Sequence, residues 1–212
     1  AFDSLPEGGS NTDSFTYTIK DSFNQTSNSA TVTITVEKPE AVTFSNDSLS
    51  QGLAHNVDSN TNGTRVFQIA FDRVWQFDLS TGFELSTGSS SPTGTFFFPS
   101  AIENAIRGGT FDDTGTRLFI VDSENANGSA GTQTVYQFNL TTPFDISTGV
   151  TNSGKSFFLG NEATQPEEVA FNDDGTRMFM SKLGSGIIYQ YNLTTGFDLS
   201  SGNVTFSGTT FD

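Results

Sequence analysis

The sequence predicts an all-β fold, a partial array of repeated four-stranded units preceded by a separate pair of strands. Three observations predict it. The block VWQFDLSTGFELSTG from Val74 returns as VYQFNLTTPFDISTG from Val135 and IYQYNLTTGFDLSSG from Ile188, at intervals of 61 and 53 residues. Each copy follows a polar-Gly pair and an alternating strand. The chain also carries 22 phenylalanines within a composition that is only 33% apolar, enough to give every strand one buried face.

Residues 1–37 obey their own pattern. Phe15-Tyr17-Ile19 and Val32-Ile34-Val36 alternate with the two-residue period of strands and flank a polar turn between Asp21 and Ser29. Two strands alone are marginal in water, so this segment is expected to be the C-terminal part of a β-sandwich whose earlier strands precede Ala1. Residues 38–40, Lys-Pro-Glu, then serve as a linker.

Residues 41–212 hold the repeats, with units at about 41–92, 93–152 and 153–208. In each, a first short strand (GLAHNVD, IRGGTFD, EEVAFND) leads to a turn at Asn62-Gly63, Thr114-Gly115 or Asp174-Gly175, where glycine supplies positive φ. The alternating second strand follows, as in Val66, Gln68, Ala70. The fifteen-residue block is the third strand with its outer turn. A fourth strand closes the unit (TGTFFF at 93–98, SGKSFFL at 153–159, NVTFSG at 203–208), and AVTFSN at 41–46 plays the same part ahead of the first copy. Between second and third strands the spacing varies: 11 residues separate Gly63 from Val74, 20 separate Gly115 from Val135, and 13 separate Gly175 from Ile188. The longest version, SENANGSAGTQ at 123–133, has no apolar face and is expected to be a surface insertion. Four antiparallel strands per period of roughly 50 residues is the profile of a β-propeller blade, and three blades fall short of the four to eight that close a ring.

The opening run AFDSLPEGGSNTDSFTYTIKD, continued by SATVTITV, resembles the C-terminal half of the cadherin-like, VCBS-type repeats of large bacterial surface proteins and RTX-type adhesins, with FDSL-x-EG, D-x-FTYT and TVT-x-TV in order. The blades are similar to repeats of bacterial secreted β-propellers, and FNDDGTRMF at 171–179 carries that likeness best. The resemblance implies an Ig/cadherin-like β-sandwich segment, an extracellular or cell-surface location and a role in adhesion. It also implies calcium where such domains meet, for which Asp13, Asp21 and Glu37 are the acids at hand.

Composition narrows the chemistry. The chain has no cysteine, which removes disulfides, thiolate metal sites and a cysteine nucleophile. A net charge of −15 with nine Lys and Arg gives no nucleic-acid footprint. No run approaches the length of a membrane helix, so neither nucleic acid nor membrane insertion is expected. Acidic, Thr-rich and Asn-rich repeats suit an extracellular bacterial protein, in which acidity favours solubility and divalent cations.

Candidate site residues are few. His55 is the one histidine, placed eight residues before Gly63. The same count from Gly115 and Gly175 gives Arg107 and Glu167, so three polar side chains are expected to share one position near a channel mouth. Asp58, Asn60 and Asn62 have the D-x-N-x-N-G spacing that opens a calcium loop, but position 12 would be Ile69, and an Asx-type turn is the preferred reading of the spacing. Trp75, Tyr136 and Tyr189, and likewise Phe83, Phe144 and Phe197, recur in every copy and are read as packing residues. No G-x-S-x-G elbow, Walker loop or H-E-x-x-H occurs.

The chain is therefore read as a non-catalytic segment of a large secreted bacterial surface protein. It acts in adhesion, structure or extracellular assembly, with neighbouring repeats of the same or identical chains and a cell-surface glycan or protein as partners, and calcium as the one cofactor considered. The alternative is a lactonase-like propeller hydrolase or lyase, or a glycan-binding propeller.

Overall fold

Alternation of apolar and polar residues sets the strands, and the turn glycines set where they reverse. A computed structural model describes residues 10–37, 54–70, 72–98, 102, 106–124, 130–160 and 165–211. The chain divides into two compact units, residues 1–46 and 47–212. The proposed linker at 38–40, the strand AVTFSN at 41–46 and the FDSL-x-EG motif lie outside the described residues.

In the first unit β1 (Ser10–Tyr17) and β2 (Ala30–Glu37) pair antiparallel without a slip, from Ser10 opposite Glu37 to Tyr17 opposite Ala30. Asp21 organises the turn, its Oδ1 accepting the backbone N–H groups of Phe23 at 2.9 Å and Gln25 at 2.8 Å. Every residue of β1 is exposed, and Phe15, Tyr17 and Ile34 leave an apolar face uncovered. Among the described residues this unit is a two-stranded sheet.

Among its described residues the second unit contains three four-stranded sheets, each with its strands in sequence order. Blade 1 comprises β3 (Ala54–Ser59), β4 (Arg65–Ala70), β5 (Arg73–Asp78) and β6 (Gly94–Phe97). Blade 2 comprises β7 (Ile106–Phe111), β8 (Arg117–Glu124), β9 (Ala130–Leu140) and β10 (Val150–Phe158). Blade 3 comprises β11 (Pro166–Phe171), β12 (Arg177–Lys182), β13 (Ile188–Leu193) and β14 (Val204–Phe211). Every ladder between neighbours is antiparallel. The expected four strands of each copy are thus present, and the fifteen-residue block supplies the third strand and outer turn of every blade.

One expectation changes. The polar tract at 123–133 is not all loop: β8 continues to Glu124, β9 begins at Ala130, and Glu124 pairs with Ala130. The extra residues lengthen a hairpin because ladder hydrogen bonds need only backbone, and Ser123 and Gln133 are buried there.

The blades are locked by three repeated devices. At the inner turn a side-chain oxygen of Asn60, Asp112 or Asn172 accepts the backbone N–H of Arg65, Arg117 or Arg177 at 2.9, 2.9 and 2.8 Å. The turn glycine then lies under a ring from the outer turn: the N–H groups of Phe83, Phe144 and Phe197 donate to the carbonyls of Gly63, Gly115 and Gly175 at 2.9, 2.8 and 3.1 Å. Those phenylalanines hold φ of 60°, 53° and 55°, a left-handed conformation that bulky residues rarely adopt.

The third device joins blades. Gln76 accepts the N–H of Ile146 in the next blade at 2.9 Å, and Gln137 accepts that of Leu199 at 3.1 Å. Beside these bonds Phe67 meets Phe111 with ring centroids 4.4 Å apart, and Phe119 meets Phe171 at 4.5 Å. Two apolar layers result. One packs Phe67, Ile69 and Val74 of blade 1 against Leu118, Ile120 and Phe138 of blade 2. The other packs Phe119, Val121 and Val135 of blade 2 against Met178, Met180 and Tyr191 of blade 3. Each buried side chain of this size contributes about 1.5–3 kcal/mol of transfer free energy.

Candidate functional site

The first strands of the three blades lie side by side, β3 against β7 and β7 against β11. Each pairs with its second strand through a bulge. The partner of Ala54 is Ala70 and that of Asn56 is Ile69, which leaves His55 as the extra residue. Likewise Ile106 and Gly108 face Asp122 and Val121 around Arg107, and Pro166 and Glu168 face Lys182 and Ser181 around Glu167. The three residues that share one sequence position therefore share one structural device, and a bulge re-aims the side chain it carries.

His55, Arg107 and Glu167 are also electrostatic neighbours. Burial lowers the His55 pKa from its ordinary value, Arg107 pushes it further down, and Glu167 opposes both. The imidazole is thereby held toward its neutral form, with one nitrogen able to accept and the other to donate. Glu167 Oε1 and the Oδ1 of Asn56 are buried acceptors without a hydrogen-bond donor among the described residues.

One position further along, the sequence reading missed a second set. The Asn56 amide of blade 1 donates to Oε2 of Glu168 in blade 3, across the intervening strand of blade 2. Gly108 makes the crossing possible: a Cβ there would lie 2.5 Å from the Glu167 carbonyl and 2.8 Å from the Glu168 carboxyl carbon. Burial raises the Glu168 pKa, while the N–H groups of Val169 and Gly109 and the Asn56 amide pull it back, and Asp58 adds a further upward push. The Gly108-Gly109 pair inside a strand was the available signal, since adjacent glycines there mark a close approach.

The calcium candidates are arranged differently. Asp58 Oδ1 accepts the N–H of Ser59 at 2.7 Å, and its Oδ2 accepts the N–H of Phe111 in blade 2 at 3.1 Å. Asn60 closes its turn on Arg65, and Oδ1 of Asn62 takes both the N–H and the hydroxyl of Thr64, at 3.1 and 2.7 Å. The D-x-N-x-N-G run is thus an Asx-type turn, matching the inner turns of the other blades. It borders an open groove of about 290 Å³ that also receives Asp112, Asp113 and the rings of Phe83 and Phe144. In the first unit the hairpin spreads its acids: Asp13 lies opposite Ile34 within the ladder, Asp21 sits at the turn, and Glu37 sits at the opposite end. Among the described residues no three His, Asp or Glu converge as metal ligands, and no helix is long and apolar enough to cross a membrane.

The recurring aromatics are spent on packing. Tyr189 is buried, Trp75 and Tyr136 are half-buried, and Phe144 and Phe197 pack on Phe111 and Phe171 at 5.5 and 5.4 Å. Phe83, where Ser59 replaces that neighbouring phenylalanine, is 69% exposed.

No family model matches the chain, and no curated protein matches it in sequence. Among solved structures it is similar to a candidate 6-phosphogluconolactonase from Bacteroides fragilis, at 13% identity and TM-score 0.48, over 71% of this chain and 38% of that one. A second candidate 6-phosphogluconolactonase, from Bacteroides uniformis, aligns at 15% identity and TM-score 0.46, over 86% and 47%. The β-propeller domain of Cps50 (Swd1) from Myceliophteria thermophila aligns at 12% identity and TM-score 0.45, over 82% and 50%. The chain spans half or less of the length of each of these three structures. At such identities and scores the assignment of architecture rests on the chain's own geometry: three stacked four-stranded meanders, a repeat-containing all-β fold of β-propeller-like build.

Proposed function

We propose that the chain is a non-catalytic segment of a large secreted bacterial surface protein, acting in adhesion, surface structure or extracellular assembly. The observation that supports this reading is the use made of the repeated residues. The turn glycines, the phenylalanines over them and the inter-blade glutamines are all engaged in holding blades together. Positions that differ between copies are left to recognise a partner, and the bulge residues His55, Arg107 and Glu167 are foremost among them. On this reading the chain presents one polar recognition point per three blades on an acidic, soluble scaffold, and a cell-surface glycan or protein is its partner. Calcium belongs to the reading only through the resemblance of residues 1–37, with Asp13, Asp21 and Glu37 as the acids at hand; they are spread along the hairpin, so an ion held by any one of them would take its remaining ligands from elsewhere.

The convergence of the three bulge side chains supports a second reading, a lactonase-like hydrolase or a glycan-binding propeller in which a neutral His55 beside Arg107 meets the ligand. One experiment separates the two: the chain is screened against lactones and a glycan array. The scaffold reading expects no turnover. Lactone hydrolysis that disappears in His55→Ala would replace it with the enzymatic one.

A further inference from the structure

The two joints between blades define what one blade requires of the next, and blade 3 presents that same face partly exposed. In blade 1 the joint-forming face carries Phe67 and Val74, both 0% exposed, with Gln76 at 1%. In blade 2 the corresponding Phe119 and Val135 are 0% exposed and Gln137 is 2%. In blade 3 these positions are Phe179, Ile188 and Gln190: Ile188 is 40% exposed, while Phe179 and Gln190 are half-buried. Phe179 and Ile188 line an apolar groove of about 140 Å³ with Ala170 and Met180. Gln190 donates its amide to Asn192 at 3.4 Å, as Gln76 does to Asp78 at 3.0 Å, but among the described residues its Oε1 accepts no backbone N–H, whereas that of Gln76 accepts Ile146.

We propose that this face is a docking surface for a further blade of the same repeat. The chemistry of the occupant follows from the joints already formed. Its first strand carries a phenylalanine four residues before the turn glycine, as Phe111 and Phe171 do, and that ring fills the groove over Phe179. Its outer turn carries phenylalanine, an acid and then an apolar residue, whose N–H donates to Gln190 as those of Ile146 and Leu199 do to Gln76 and Gln137. The acid of that turn meets Arg177, just as Asp145 meets Arg65 across the first joint at 3.4 Å. A second copy of this chain is a poorer occupant. Its first blade would have to offer Ser59 in place of the phenylalanine, and on the face it would present Phe77 and Leu79 are already buried, at 1% and 5% exposure, with Val66 and Trp75 half-buried.

The test is a coupling experiment on the full chain. A second copy of residues 160–211 is appended after Asp212 as a fourth blade, and Gln190→Leu is made both in this extended chain and in the original. In the original chain, Gln190→Leu is expected to leave the unfolding midpoint unchanged. In the extended chain it strands a buried N–H of the appended blade and lowers the folding constant about fivefold or more. Ile188 amide exchange slows at least tenfold when the blade is appended. Equal effects of Gln190→Leu in both backgrounds overturn the proposal, as does an appended blade that melts separately or leaves Ile188 exchange untouched. Sedimentation of the original chain, 22.7 kDa by mass, gives an independent readout. Monomer is expected, and a dimer abolished by Ile188→Asp names a second copy as the occupant and overturns the proposal too.

Discussion

A ring resting directly on a glycine is the contact that shows most sharply how single residues hold a blade. A Cβ added at Gly115 would stand 2.1 Å from the Phe144 ring, and the glycine has φ of +67°. Gly115→Ala therefore combines backbone strain with a clash and is expected to cost more than about 2 kcal/mol in urea unfolding. Gly154→Ala, at φ of +74° with open space around it, should cost about 1–2 kcal/mol for the backbone alone. Recurrence in the sequence identified both members of the contact, but not the contact itself, because 29 residues separate Gly115 from Phe144. At Glu168 the folded-state pKa lies above its ordinary value, with burial as the first cause. The native protein thus holds more protons than the unfolded chain just above pH 4.5, and this group's contribution to stability is lost as pH rises through that window. Glu168→Gln should therefore be at least as stable as wild type at about pH 7 and lose that advantage at about pH 4, as read from thermal midpoints. His55 runs the other way. Its lowered pKa makes stability fall as pH drops below about 6.5, a slope that His55→Gln should flatten.

At the scale of strands, boundaries were legible and registers were not. The turn glycines Gly63, Gly115 and Gly175 placed the second strands, but the alternation behind them understated burial, since consecutive residues such as Phe67 to Ala70 and Leu118 to Ser123 are buried on both faces. The bulges at His55, Arg107 and Glu167 escaped, since an extra residue changes which partner a strand faces without changing its own composition. The shared polar position was found by counting back from the turn, and that count worked because the distance from bulge to turn is the same in all blades. The glutamines of the third strand escaped for a related reason. Gln76, Gln137 and Gln190 look like the solvent side of an amphipathic strand, yet the first two serve as buried acceptors. Gln137→Leu leaves the Leu199 N–H buried without a partner, and a loss of about 1–3 kcal/mol is expected in thermal or urea denaturation. The Lys155 to Asp198 pair at 2.9 Å is a weaker joint. Ser200 and Lys155 hold the Asp198 pKa at about 2, and with both side chains partly exposed, Lys155→Ala should cost under about 1 kcal/mol.

Across the whole molecule, stability is unevenly distributed. The blade unit has two continuous apolar layers, whereas the hairpin of β1 and β2 leaves Phe15 at 54% and Ile34 at 50% exposure. Amides of β1 and β2 are expected to exchange with solvent orders of magnitude faster than those of β8 and β9, measurable by hydrogen exchange mass spectrometry. The pattern of residues 1–37 pointed to part of a β-sandwich, and their resemblance implied the Ig/cadherin type. Its two strands are present, but alternation within a strand says only that a face should be covered and cannot name the cover. If calcium binds the acids of this segment, the midpoint of its transition should rise on adding the cation at matched ionic strength and return with chelator. A midpoint indifferent to calcium would remove it from the proposed function.

The strictly consecutive pairing of strands within each blade has a consequence for how the chain comes into being. Among the described residues every ladder joins neighbours in sequence, so closing one of these blades requires no distant segment to return, and the loop-closure entropy of each step is small. A nascent chain can therefore complete one sheet before the next is synthesised, and each finished sheet offers the apolar template on which its successor condenses. Assembly by addition at one end tolerates duplication of a unit, because a new copy meets the same template as the old one did. That is a plain physical route by which the same fifteen residues come to be written three times.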